Sequence, residues 1–152
     1  MKVREAMTRD VYIANPQQSI KEVARVMGEI DCGAVPIAEN ERLVGMLTDR
    51  DIAIRAIGQN KGPETRVAEV MTRDVRYCYE DEDLRHVTQN MGDQQIRRLP
   101  VIDRDKRLVG IISLGDVAMS SDGRAATGEA LTGISRPGGR HSQTGDQAAA
   151  GF

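Results

Sequence analysis

Tryptophan is absent from this 152-residue chain, and three tyrosines and one phenylalanine are its only aromatics. Any core must therefore be aliphatic, built from Val, Ile, Leu and Met, and the 39% hydrophobic share is ordinary for a single globular domain. Two cysteines, Cys32 and Cys78, are too few for a disulfide scaffold, and two buried free thiols are expected. Two histidines, His86 and His141, make no imidazole cluster, and no metal-ligand spacing occurs. No apolar run approaches the ~18 residues of a membrane span. The opening MKVREAMTRD carries charge where a secretory signal needs an apolar stretch, so a cytoplasmic location is expected. A net charge of −2 offers no basic field for nucleic acid or anionic lipid.

What the chain does have, it has twice. VREAMTRDV from Val3 returns as VAEVMTRDV from Val67, and PIAENERLVGMLTDRD from Pro36 returns as PVIDRDKRLVGIISLGD from Pro100. Two units this small cannot each bury a core alone, so a joint core with a pseudo-twofold axis and a cleft between the halves is expected. The boundaries read as repeat one over 1–58, a linker over 59–65, repeat two over 66–120 and a flexible tail over 121–152. The linker is marked by Gln59-Asn60-Lys61-Gly62-Pro63-Glu64.

Periodicity assigns each repeat the order strand, helix, strand, strand, helix, an α/β (α+β) fold. In repeat one, a strand is expected over Val11 to Ala14. A helix follows Ser19, its cap, with Ile20, Val23, Ala24, Val26, Met27 and Ile30 apolar. A hairpin spans Gly33 to Leu47 around Glu39-Asn40-Glu41, and a helix over Asp49 to Ile57 stops at Gly58. Repeat two gives a strand over Val75 to Cys78, a helix over Asp83 to Met91, a hairpin over Arg97 to Ile112 and a helix over Leu114 to Met119. Its hairpin turn, Asp103 to Lys106, is longer by one residue, which a loop absorbs cheaply. From Ser120 on, Gly and Ala dominate without periodicity, and the segment is expected to stay flexible, with a short helix near Gly128 to Leu131 as the alternative.

The informative constellation is a glycine, two apolar residues, Thr or Ser, two further residues and Asp. Thr48 with Asp51, and Ser113 with Asp116, stand at capping-box spacing and can simply satisfy the free amides of a helix start. The same groups suit a nucleotide: amides and a hydroxyl for phosphate, a carboxylate for the vicinal hydroxyls of a ribose, and a glycine for close backbone approach. An enzyme is a weaker reading. Asp10, Asp49 and Asp51 form one carboxylate group and Asp103 and Asp105 another, but no nucleophile comes with a base, and His86 belongs to a solvent-facing helix side.

These residues, with the repeated MTRDV, the Ala34-Val35-Pro36-Ile37 and Leu99-Pro100-Val101-Ile102 strands and both terminal motifs, resemble a pair of CBS domains, often called a Bateman module. The likeness covers nearly all of 1–120 and leaves out the tail. It implies a regulatory module without catalytic activity, binding an adenosyl ligand in the cleft: AMP, ADP or ATP first, with S-adenosylmethionine, NAD or cyclic di-AMP also in the class. By resemblance, Thr48 and Ser113 would contact phosphate and Asp51 and Asp116 the ribose. Adenine would lie against Ala34, Val35 and Pro36 with Asp10 and Val11 at one site, and against Arg98, Leu99 and Pro100 with Asp74 and Val75 at the other. Arg97 and Arg98 stand where repeat one has Gly33 and Ala34, and at most one can face the cleft. That one would add a charge-assisted phosphate contact, making the sites unequal.

The chain has no room for an output domain, so a target protein in trans is expected. Ile52, Ala53, Ile54, Ala56 and Ile57 wrap more of a helix than one sheet can cover, which with the resemblance implies a homodimer. The alternative is a ligand-free interaction module of the same fold.

Overall fold

A computed structural model describes residues 1–121 and 123–137. They sort into two units that interleave along the chain. One, the first-repeat unit, comprises Asp10–Arg76 and Arg104–Leu108; the other, the second-repeat unit, comprises Met1–Arg9, Tyr77–Asp103 and the chain from Val109.

In the first-repeat unit, helix α2 (Ile20–Ile30) begins at Ser19, whose hydroxyl accepts from the Glu22 amide at 3.2 Å. The Glu22 carboxylate accepts from the Gln18 side chain instead of closing a capping box. Ile20, Val23 and Met27 form the buried stripe, and the helix ends at Asp31 in the left-handed region, φ 54°. Strands β1 (Ala34–Glu39) and β2 (Arg42–Thr48) pair antiparallel, with a register slip between Ile37 and Ala38. The turn places Asn40 and Glu41 both at positive φ, as a two-residue hairpin requires. The strand expected over Val11–Ala14 is reduced to one bridge, Ala14 to Ile37, and it goes no further because Pro16, two residues on, cannot donate to a ladder.

The helix expected over Asp49–Ile57 is not one α-helix. It starts as α3 (Asp49–Asp51), widens into a π-helical turn over Ile52–Ala56 and tightens into a 3-10 turn over Ile57–Gln59. Branched Ile52, Ile54 and Ile57 crowd a regular turn, and Arg55 reaches across to the carbonyls of Val70 and Met71 at 3.4 and 3.3 Å.

The second-repeat unit repeats the plan. Helix α1 (Val3–Ala6) comes from the amino-terminal segment. Strand β3 is short, Cys78–Tyr79, and runs parallel to β4 (Arg98–Ile102), with Cys78 opposite Val101. The expected strand over Val75–Cys78 is thus displaced, since the chain leaves the other unit only at Arg76. Helix α4 (Leu84–Gln94) ends at Gln95 with φ 57°, matching Asp31. Strand β5 (Leu108–Ser113) lies beside β4 in the order β3-β4-β5 and leads into α5 (Leu114–Met119).

A further helix, α6 (Arg124–Ile134), occupies part of the stretch expected to be flexible, and it is longer than the short helix weighed for Gly128 to Leu131. Its small residues explain it: Ala130 and Gly133 let the helix seat directly on Gly92 of α4, so little side-chain surface is needed. His141 lies outside the described residues.

Each repeat gives its opening segment to the other's core. Val3 donates to the Glu82 carbonyl and Arg4 to Glu80; correspondingly Val67 donates to Gln18 and Ala68 to Pro16. Thr8 and Ile111 exchange two backbone bonds at 2.8 and 2.9 Å, and Thr72 and Met46 do the same. Val67, Val70 and Met71 therefore fill a core with Ile20, Val23, Val35, Ile37 and Leu47, while Val3 fills one with Val87, Met91, Val101 and Ile112.

Candidate functional site

Both predicted boxes form, one in each unit. The Thr48 hydroxyl accepts from the Asp51 amide and the Asp51 carboxylate accepts from the Thr48 amide, both at 3.0 Å. Ser113 and Asp116 repeat this arrangement at 3.0 and 3.0 Å. Each box uses one carboxylate oxygen and one of the hydroxyl's two lone pairs. The cap leaves unused the second carboxylate oxygen, an acceptor, and the hydroxyl proton, a donor.

The second oxygen is treated differently in the two copies. Asp116 Oδ1 accepts from the Thr8 hydroxyl at 3.2 Å. Asp51 Oδ1 has Arg55 Nε 3.9 Å away, an ion pair without a hydrogen bond. Among the described residues, the matching hydroxyl, Thr72, makes no bond to Asp51. Thr8 was missed by the sequence reading, although its signal was present in the doubled Met-Thr of MTRDV.

The motif glycine has a role other than ligand approach. A side chain at Gly45 would lie 2.8 Å from the Thr72 carbonyl oxygen, and one at Gly110 would lie 2.5 Å from that of Thr8. The backbone that approaches closely is the other repeat's opening segment.

The first predicted set, Asp10, Val11, Ala34, Val35, Pro36, Thr48 and Asp51, falls entirely in the first-repeat unit. Ala34 is the register partner of Thr48. Val35 packs in the aliphatic core, leaving Ala34 and Pro36 on the other strand face, while Asp10 is exposed. The second set divides. Arg97, Arg98, Leu99, Pro100, Ser113 and Asp116 belong to the second-repeat unit, whereas Asp74 and Val75 belong to the first-repeat unit. Leu99 is a core residue, as Val35 is. Arg97 and Arg98 are both exposed, where only one was expected to be solvated; Arg97 precedes β4, so strand alternation does not govern the pair. The Arg97 carbonyl accepts from the Leu114 amide at 2.8 Å as the Gly33 carbonyl does from Asp49 at 3.0 Å, which confirms their equivalence.

Elsewhere the chemistry is quiet. A cavity of about 330 Å³ is lined by residues including Met1, Leu84, Thr88 and Val117, and by none of the predicted site residues. Both cysteines are free. Cys32 is only half-buried, its thiol donating to the Ala34 carbonyl at 3.0 Å, which departs from the expected burial. Cys78 is buried, and desolvation, then the nearby Glu82 carboxylate, push its thiol up to about 12. No three His, Cys, Asp or Glu side chains converge as metal ligands among the described residues, and no helix among them is long and apolar enough to cross a membrane.

Comparison with known proteins agrees with this geometry. The family model for the CBS domain matches twice, over residues 3–57 and 67–122. The CBS domain-containing protein YhcV of Bacillus subtilis is 41% identical over 133 residues, 88% of this chain and 94% of YhcV. Hypoxic Response Protein I, solved with two coordinated zinc ions, superposes with a TM-score of 0.70 at 33% identity, over 78% of this chain and 97% of that one. The CBS domain pair of protein MJ0100, in complex with 5'-methylthioadenosine and S-adenosyl-L-methionine, superposes with a TM-score of 0.68 at 33% identity, also over 78% and 97%. With two motif-bearing repeats, each ending in the same closed box, and a family model spanning both, the chain belongs to the CBS-domain proteins.

Proposed function

We propose that this CBS pair is a regulatory module that binds an adenosyl ligand, with AMP, ADP or ATP as the preferred class, and acts as a homodimer on a target protein in trans. The observation that carries the reading is the doubled box. Each copy has a hydroxyl proton and a second carboxylate oxygen that the cap does not use, the donor and acceptor a phosphate and a ribose ask for; at Asp51 that oxygen faces Arg55 without a hydrogen bond, and at Asp116 a ligand would share it with the Thr8 hydroxyl. The likeness to the MJ0100 pair, whose structure holds two adenosyl compounds, supports the ligand class. Arg98 holds in β4 the place of Ala34 in β1, and its exposed guanidinium favours phosphorylated ligands at the Ser113–Asp116 box.

Calorimetry with AMP, ADP, ATP, NAD, S-adenosylmethionine and cyclic di-AMP tests this. Asp51→Asn and Asp116→Asn keep an oxygen for the cap but lose the carboxylate. Each should weaken its own site by about 1–3 kcal/mol, the cost of orphaning hydroxyls that pair in the complex. Absence of heat and of a thermal shift with every compound would defeat the reading. One observation favours a second reading, a ligand-free interaction module: capping of a helix start is by itself a sufficient role for both Thr48–Asp51 and Ser113–Asp116.

A further inference from the structure

Helix α6 is seated on the second-repeat unit by its two ends. Near its close, Ala130 and Gly133 press on Gly92 of α4, and the Gln95 amide donates to the Gly133 carbonyl at 3.1 Å. Before its start, Gly123 lies directly against the Val117 carbonyl of α5. On the side of that start the helix leaves a hollow, the cavity of about 330 Å³, between Ala126 of α6, Leu84, Arg85 and Thr88 of α4, and Val117 of α5. At about 30 Å³ per water, it has room for a ligand of roughly ten non-hydrogen atoms, and it falls within the size range of small-molecule sites.

The lining has a definite chemistry. Leu84 and Val117 are buried and make an aliphatic floor. Thr88 is fully buried as well, and its hydroxyl proton is committed to the Leu84 carbonyl at 2.7 Å, which leaves the oxygen able only to accept. Asp83 and Arg85 complete the wall, and both are exposed, so they form its rim. Asp83 stands at the N-cap of α4, where an aspartate ordinarily accepts from the amides of the first turn. Ser19 does so for α2 at 3.2 Å, yet the Asp83 side chain caps nothing. Arg85 makes no side-chain hydrogen bond or ion pair among the described residues. The rim therefore holds one carboxylate and one guanidinium, neither engaged by the fold. A lone anion there would meet Asp83, and a lone cation would meet Arg85. A small zwitterion with an apolar side chain satisfies both charges and fills the floor. In the first-repeat unit the counterparts differ: Ser19 is engaged in its cap, and Ala24, which matches Thr88, is exposed.

We propose that this cavity binds a free aliphatic amino acid, its ammonium on Asp83, its carboxylate on Arg85 and its side chain against Leu84, Val117 and Ala126. The site shares no residue with either box and is independent of the adenosyl reading.

Calorimetry and thermal shift of the full chain with L-leucine test it, with leucinamide, isocaproate and glycine as probes that lack the carboxylate, the ammonium and the side chain. Leucine should bind and raise the thermal midpoint, and each of the three probes should bind more than about tenfold more weakly. Asp83→Asn and Arg85→Gln change exposed side chains and should each weaken leucine by a similar factor without loss of fold. Ala126→Leu fills the hollow and should abolish binding while the thermal midpoint holds. Absence of both heat and thermal shift with leucine overturns the site, and so does binding that leucinamide or isocaproate equals. Leucine binding indifferent to all three substitutions lies elsewhere on the chain and overturns the assignment to this cavity.

Discussion

Gly110→Ala tests the exchange of opening segments most directly. The added methyl carbon would sit 2.5 Å from the Thr8 carbonyl oxygen, 3.3 Å from its carbon and 3.4 Å from the Met7 sulfur. Backbone cannot yield there without parting Thr8 from Ile111, whose two bonds measure 2.8 and 2.9 Å. Losing both costs roughly 2 kcal/mol at about 1 kcal/mol each. Loosened packing around Met7 and Val3 adds about 1–3 kcal/mol, and the entropy gained on replacing glycine returns about 0.4–1 kcal/mol. The net expectation is a destabilisation of about 2–4.6 kcal/mol, and for a chain of this length each kcal/mol lowers the thermal midpoint by roughly 2–4 °C. Gly28→Ala is the internal control: with open space and an exposed helix position, it should stabilise by about 0.5–1 kcal/mol. Both are read by urea titration with circular dichroism and by calorimetry. A neutral Gly110→Ala would mean that Thr8 does not pair with β5 in solution, and the account of the exchanged cores would fall with it.

The remaining expectations are briefer. Because burial and Glu82 raise the Cys78 thiol to about 12, above its unfolded value, the stability tied to the neutral thiol is full below the ordinary thiol range and is lost as pH climbs from there towards 12. Cys78→Ala should therefore lose less stability than the unmodified chain between neutral pH and about pH 10.5, and equal losses would refute the assignment. In the native protein a thiol reagent should label Cys32 first and Cys78 only on unfolding, checked by mass spectrometry of the labelled peptides. Gln95→Ala removes the donor at the end of α6 and should speed amide exchange over Arg124–Ile134 while leaving the first-repeat unit unchanged.

The repeats, the boxes, α2, α4, α5 and both hairpins were legible because each rests on local pattern: apolar spacing, a capping hydroxyl, a short polar turn. What escaped were features that depend on distant partners. Nothing local to Val3 or Val67 says which repeat it packs in, since both openings are equally apolar. The π-helical turn at Ile52–Ala56 answers partly to Arg55 finding carbonyls at Val70 and Met71. Helix α6 was unreadable because its seat is made by what Gly92 and Gly133 lack. Thr8 shows the same limit at the site, for its partner Asp116 lies 108 residues away.

That separation bears on how the molecule is made. The amino-terminal segment is synthesised first, yet Val3 and Thr8 have nowhere to bind until β5 and α5 exist, so the earliest residues are the last to be placed. The core of the first repeat closes sooner, once Met71 is available. Folding should then show an early phase confined to the first-repeat unit and a slower one set by the loop that Thr8 closes. Until that loop closes, a strip of aliphatic chain waits exposed, which makes the half-finished protein the species most prone to pairing with a neighbour's half-finished core.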